Sequence, residues 1–203
     1  MMINIVKDID LYEHLNEYDV VLIGTNLYCT MAHGLQLKVM LNYPYVYNKN
    51  LETKYGDINK LGTILECSKE GEPTFCLCFI TKGYNFRPDL ESDYLSYEAL
   101  EKVMKLVNIK YKGKKVACTI MGSCKFDGNG DKDRIMEIIS FCSNDINLTI
   151  YDYYQKTREE EVLGMLHSEA AIKEVDRKAY YDTVRERKRL AEERFRKNGH
   201  RRY

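Results

Sequence analysis

This chain has no tryptophan, no CxxC pair, no apolar run approaching the length of a membrane span and no net charge. Each absence excludes something. Without a spanning run the chain is not read as an integral membrane protein, and the polar Met1 to Asp10 segment is not a signal peptide, so a cytoplasmic protein is expected. The seven cysteines, at 29, 67, 76, 78, 118, 124 and 142, are odd in number and lack zinc-site spacing. Their closest pair, Cys76 and Cys78, falls inside a strand-like run. Reduced thiols packed as small apolar side chains are therefore expected, with no metal and no cofactor. Neither a GxxxxGK(S/T) nucleoside-triphosphate loop nor a GxGxxG dinucleotide fingerprint occurs, and no repeat or low-complexity segment is visible.

What remains is ample for a core. Hydrophobic residues make up 44% of the 203, and 17 Tyr against 6 Phe supply the aromatics. The charge is uneven: residues 184–203 hold nine Lys/Arg against three Asp/Glu, giving +6 there and −6 in the remainder. Met2 to Val6 reads as a strand, and Asp10 caps a short helix to about Glu17. Asp19 to Gly24 is a continuous apolar run, the signature of a strand buried on both faces. A helix follows over Gly34 to Leu41, then a polar stretch from Asn48 to Lys60 with a turn at Gly56-Asp57. Gly62 to Cys67 and Thr74 to Thr81 read as neighbouring strands around the turn at Ser68 to Pro73. An amphipathic helix over Ser96 to Ile109, a strand over Lys115 to Met121, a helix over Arg134 to Phe141 and a strand over Asn147 to Tyr151 complete the pattern. Strands alternating with helices argue for a layered α/β fold with a largely parallel sheet. From about Gln155 the composition turns to Arg, Glu, Lys and Ala with no Pro up to residue 197, which predicts a long charged helix. The domain division is 1–153 and 154–203.

Two loops stand where such sheets place ligands, past the carboxyl ends of strands. One is Gly24-Thr-Asn-Leu-Tyr-Cys-Thr-Met-Ala-His-Gly34; the other is the glycine-rich run from Gly122 to Gly130. Glycines let a backbone approach a ligand, and a following helix N-terminus offers N–H groups to phosphate. Two such loops side by side would suit a diphosphate with sugars attached. Each alone would equally serve to turn the chain.

The order of these pieces resembles the macro domains, from Ile3 to Tyr151, and is closest to those of phages and to the ADP-ribosyl-glutamate hydrolase type. The resemblance rests on Lys7-Asp8-Ile9, on Asp19 to Asn26, on Thr30-Met-Ala-His-Gly34, on Tyr55-Gly-Asp57 through Lys60-Leu-Gly-Thr-Ile64, and on Met121-Gly-Ser123 through Gly130-Asp131. It implies a three-layer α/β/α sandwich with a mixed, largely parallel central sheet, here with a long C-terminal helix added. It also implies an ADP-ribose cleft at one end of the sheet.

By that resemblance Asp8, with Ile9 beside it, accepts a hydrogen bond from the adenine amino group; as a bare residue it reads equally as an exposed helix cap. Asn26 would orient the distal ribose, or else simply end its strand as a turn residue. Thr30, Met31, Ala32, His33 and Gly34 would form the first substrate loop, in which His33 replaces a small residue. Gly122, Ser123, Cys124, Lys125, Phe126 and Gly128 would form the second, wrapping the diphosphate with backbone amides. Phe126 would flank the distal ribose or belong to the core. The glutamate-hydrolase type uses a Lys after Ile-Thr at a strand end and an Asp in the second loop, which here implies Lys82 and Asp127 as catalytic. The Lys amine would attack the anomeric carbon and the Asp would move protons.

Three functions follow as expectations. The first is hydrolysis of an ADP-ribose derivative, an ADP-ribosylated carboxylate, an ADP-ribosylated nucleic acid or ADP-ribose 1''-phosphate. The second is ADP-ribose binding without turnover. The third is phosphate-mediated nucleic-acid contact through Arg185 to Arg202 of the tail.

Overall fold

The structure, a computed structural model, describes residues 2–31, 34–83, 94–124 and 128–153. The expected C-terminal helix and its basic end lie outside the described residues.

Alternation decides the layering. Along the second strand, Val20 and Leu22 join one buried cluster while Val21 and Ile23 join another. A strand whose successive side chains point to opposite faces, all apolar, must be covered on both sides. Six strands make up the sheet: β1 (Met2–Lys7), β2 (Val20–Asn26), β3 (Ile64–Cys67), β4 (Thr74–Thr81), β5 (Lys115–Thr119) and β6 (Asn147–Asp152). Their order is β1-β6-β5-β2-β4-β3, with every neighbouring pair parallel except β3 against β4. That antiparallel pair is joined through a turn in which Gly71 takes φ +79, as the Ser68 to Pro73 signature predicts. One face is covered by α3 (Tyr97–Lys110) and α4 (Lys132–Cys142), the other by the 3-10 helix Leu11–Glu17, α1 (Gly34–Asn42) and α2 (Pro44–Glu52). The expected three-layer sandwich with a mixed, largely parallel sheet is what forms.

The caps are local and legible. Asp10 accepts from the Tyr12 N–H at 2.9 Å, Ser96 from the Ala99 N–H at 3.3 Å, and Asp131 from the Arg134 N–H at 2.8 Å. All seven cysteines are free thiols, and six are buried, Cys124 being the partly exposed one. The polar stretch from Asn48, read from the sequence only as polar with a turn at Gly56-Asp57, begins as helix, since α2 runs through it to Glu52. Pro44 fits the first helical turn, where its missing N–H has no partner to lose. Val46 and Asn50, four residues apart, face the sheet.

Strand order also fixes where a crevice opens. After β2 the chain leaves toward β3 and β4; after β5 it leaves the other way, toward β6. Neighbouring parallel strands with diverging connections form a topological switch point, the place where open α/β sheets bind ligands. Pairing of β2 with β5 covers only Val20 to Leu22 against Val116 to Cys118. The last residues of β2 are therefore not laddered to β5.

Candidate functional site

The loop leaving β5 packs on the strand β2. A Cβ on Gly24 would lie 3.0 Å from Met121 Cβ and 3.1 Å from Ile80 Cδ1, so glycine there lets the β5 loop and β4 close on β2. Beside this contact β4 carries a bulge, Thr25 pairing with Phe79 and Asn26 with Thr81.

The first loop is held by Asn26, which is fully buried. Its amide nitrogen donates to Thr30 O at 3.2 Å and Thr30 Oγ1 at 2.6 Å, and its oxygen accepts from the Tyr28 N–H at 2.9 Å and, more weakly, the Thr30 N–H at 3.4 Å. The Asn26 amide is thus spent on shaping residues 26–30. Cys29 sits inside this turn at φ +55, and Met31 is in the core at 1% exposure, which leaves only its main chain for a ligand. Behind the loop, Lys60 Nζ donates to Thr53 Oγ1 at 3.0 Å and approaches Cys29 Sγ at 3.4 Å, while lying 4.9 Å from the Phe79 ring centroid. The loop is buttressed from its rear by the Lys60-Leu-Gly-Thr63 segment. Gly34 begins α1, whose first turn contains no acidic residue. Ala32 and His33 lie outside the described residues.

The second loop folds on itself. Gly130 N–H donates to Gly122 O at 3.0 Å, Asn129 N–H to Cys124 O at 2.9 Å and Ser123 N–H to Ile120 O at 3.3 Å. Asp131 N–H is taken by Tyr97 OH at 2.8 Å, and the Arg134 guanidinium stacks 3.8 Å over that ring. Among the described residues, the Gly122 and Gly128 N–H groups have no intramolecular acceptor. Of the two, Gly122 is partly exposed and open to a ligand, whereas Gly128 is buried. The two helix N-termini at this end differ as well. That of α4 is closed by its own Asp131 carboxylate, whereas that of α1 carries no such negative charge in its first turn. Lys125, Phe126 and Asp127 lie outside the described residues.

At the far end of the sheet Asp8 follows β1 at φ +59, exposed, with its N–H donating to Asp152 O at 3.2 Å. Ile9 beside it is 42% exposed. The sheet places Asp8 three strands from Asn26, about 14 Å at the usual spacing. A ligand touching both ends must be extended.

Lys82 is exposed just past β4, after the buried Thr81, whose hydroxyl donates to Thr25 O at 3.2 Å. The Glu98 carboxyl on α3 is held below its ordinary range by the hydrogen bond from Lys102, and the Lys102 and Lys82 charges add to this. Lys82 N–H donates to Tyr94 O at 2.9 Å, and Tyr94 N–H donates to Gly128 O at 3.0 Å. Two hydrogen bonds thus link the Lys82 backbone to the residue following Asp127. Tyr94 and Leu95, which make that link, carry no sequence signal beyond preceding the Ser96 cap.

No protein-family model matches this chain, and no curated protein matches its sequence. Solved structures match its fold. A protein from Bacteroides thetaiotaomicron has a TM-score of 0.60 at 16% identity, over 74% of this chain and 99% of its own. The macrodomain of Mycobacterium tuberculosis DarG has a TM-score of 0.57 at 15% identity, over 75% of this chain and 99% of its own. Thermosipho africanus DarTG, solved in complex with ADP-ribose, has a TM-score of 0.57 at 14% identity, over 78% of this chain and 44% of its own. The chain has the macrodomain fold.

Proposed function

We propose that this macrodomain-fold chain binds ADP-ribose across the carboxyl ends of its strands and hydrolyses a bond to its distal ribose. The observation that carries the reading is the packing of Met121, in the β5 loop, on Gly24 of β2, which brings the β5 loop to the strand end from which the β2 loop departs. In this reading the diphosphate lies between the N-terminus of α1 and the Gly122 amide. Adenine lies toward Asp8 and Ile9, and the distal ribose toward Thr30, Gly34 and the end of β4. Asn26 acts through the loop it shapes. The solved complex of a protein sharing the fold with ADP-ribose supports this choice of ligand.

Lys82 and Asp127 are the proposed catalytic pair. As a free amine, Lys82 attacks the anomeric carbon, the bond to the leaving carboxylate breaks, and the opened sugar forms a Schiff-base adduct that water releases. Asp127 carries protons between the leaving group, the sugar and water. An ADP-ribosylated glutamate peptide tests this: wild type should release ADP-ribose, and Lys82→Ala should bind the nucleotide while losing turnover. Equal binding by both with no product from wild type would leave the second reading, a binding module without turnover. The exposure of Lys82 and its placement near Glu98 favour that alternative.

A further inference from the structure

Two glycines of the second loop, Gly122 and Gly130, border one side chain that belongs to neither loop. Leu95 is 4% exposed and pairs with Thr81 as an isolated antiparallel bridge. Lys82 N–H donates to Tyr94 O and Ser96 N–H to Ile80 O, both at 2.9 Å, so residues 94–96 lie as a short extra strand along the end of β4. Their other edge faces the glycine loop, where Gly128 O accepts from Tyr94 N–H at 3.0 Å and Leu95 N–H at 3.2 Å. The Leu95 side chain then fills the hollow of that loop. A Cβ on Gly122 would lie 2.6 Å from Leu95 Cδ1, and one on Gly130 would lie 2.3 Å from Leu95 Cδ2. Gly130 is not in the left-handed region, so its lack of a side chain serves space rather than backbone freedom.

We infer that Leu95 is a positioning residue for ADP-ribose, setting the loop so that the Gly122 N–H faces the diphosphate. This rests on the ADP-ribose reading above. The dipole of a preorganised amide acts on an anion only if held in place, and here the holding element is a leucine anchored to β4. The same anchor ties the loop to the strand end that carries Lys82.

The test is calorimetric titration of the full chain with ADP-ribose and with AMP, for wild type, Leu95→Ala, Leu95→Met, Gly130→Ala and the Leu95→Ala/Gly130→Ala double variant. Leu95→Ala should weaken ADP-ribose at least about tenfold and AMP much less, because AMP lacks the distal phosphate and ribose. Leu95→Met, which refills the hollow, should restore most of the ADP-ribose affinity. Gly130→Ala should weaken binding in the wild-type background and add little in the Leu95→Ala background, where the obstructing methyls are gone. Additive losses, or equal weakening of both ligands, would overturn the positioning role, as would Leu95→Ala binding ADP-ribose like wild type. If Leu95→Ala does not unfold cooperatively, Gly130→Ala and Leu95→Met carry the comparison. Wild type failing to bind ADP-ribose would instead overturn the function itself, and Leu95's use with it.

Discussion

Asn50 offers a test of how the layer behind the first loop is built. It faces the sheet from α2, is fully buried, and neither its amide nitrogen nor its amide oxygen has a hydrogen-bond partner. A buried unsatisfied polar group costs about 1–3 kcal/mol, and Asn→Leu keeps the number and branching of side-chain heavy atoms while removing both polar atoms. It also adds a few tenths of a kcal/mol of helix propensity. Asn50→Leu should therefore stabilise the fold by about 1–3 kcal/mol, read as a raised urea midpoint with an unchanged slope. For a domain of this size the melting temperature should rise by about 2–4 °C for each kcal/mol. ADP-ribose affinity should stay within about twofold of wild type, because Asn50 touches the loop only indirectly. Its carbonyl accepts from Thr53, which in turn meets Cys29 and Lys60. A destabilised Asn50→Leu would refute the reasoning and show that ordered water satisfies this amide and belongs to the fold.

Other outcomes follow from equally local geometry. Gly128→Ala would put a Cβ 2.2 Å from the Gly122 carbonyl oxygen, a backbone atom that cannot swing aside, so it should abolish ADP-ribose binding by titration, whereas Gly113→Ala, strained at φ +75 but with nothing within 4 Å, should lower stability and leave binding by the folded chain intact. Glu66 is held below its ordinary value of 4.5, first by the Tyr111 hydroxyl donating to it at 2.7 Å and then by Lys110. A depressed carboxyl stabilises the fold above its unfolded value and loses that contribution as pH falls through the folded value. Urea midpoints should accordingly show Glu66→Gln less stable than wild type near about pH 7, with the gap narrowing as pH falls below the ordinary carboxyl value and through the lowered folded one. A gap independent of pH would contradict this. Asp131→Ala removes the cap of α4 and should lower stability by about 0.5–2 kcal/mol in the same assay.

What the sequence makes legible is what local chemistry dictates. The runs around Val21, Leu77 and Ala117 are apolar on both faces because they are covered on both faces, and Asp10, Ser96 and Asp131 cap helices within three residues of themselves. Helix α2 escapes such a reading because only Val46 and Asn50 are buried, too few to print a period among Tyr, Asn and Lys. The two candidate loops are visible as glycine-bearing turns after apolar runs. That the second reaches the strand end from which the first departs is not visible, since it depends on β5 lying beside β2, a pairing across most of the domain. Asn26 is correctly placed at its strand end, but that its amide is used within residues 26–30 depends on how that turn closes. The glycines at 122, 128 and 130 read as freedom to approach a ligand, whereas Gly130 makes room for Leu95 and Gly128 for the Gly122 carbonyl. No spacing rule connects Leu95 to a loop almost thirty residues later.

The account stands on a single cleft shared by the β2 and β5 loops, and calorimetric titration of the full chain with free ADP-ribose, set against AMP, addresses it most directly. One-site binding is expected, with ADP-ribose at least about tenfold tighter than AMP, since only the longer ligand reaches both the Gly122 amide and the first loop. Equal affinity for the two, or no heat with ADP-ribose, would contradict it.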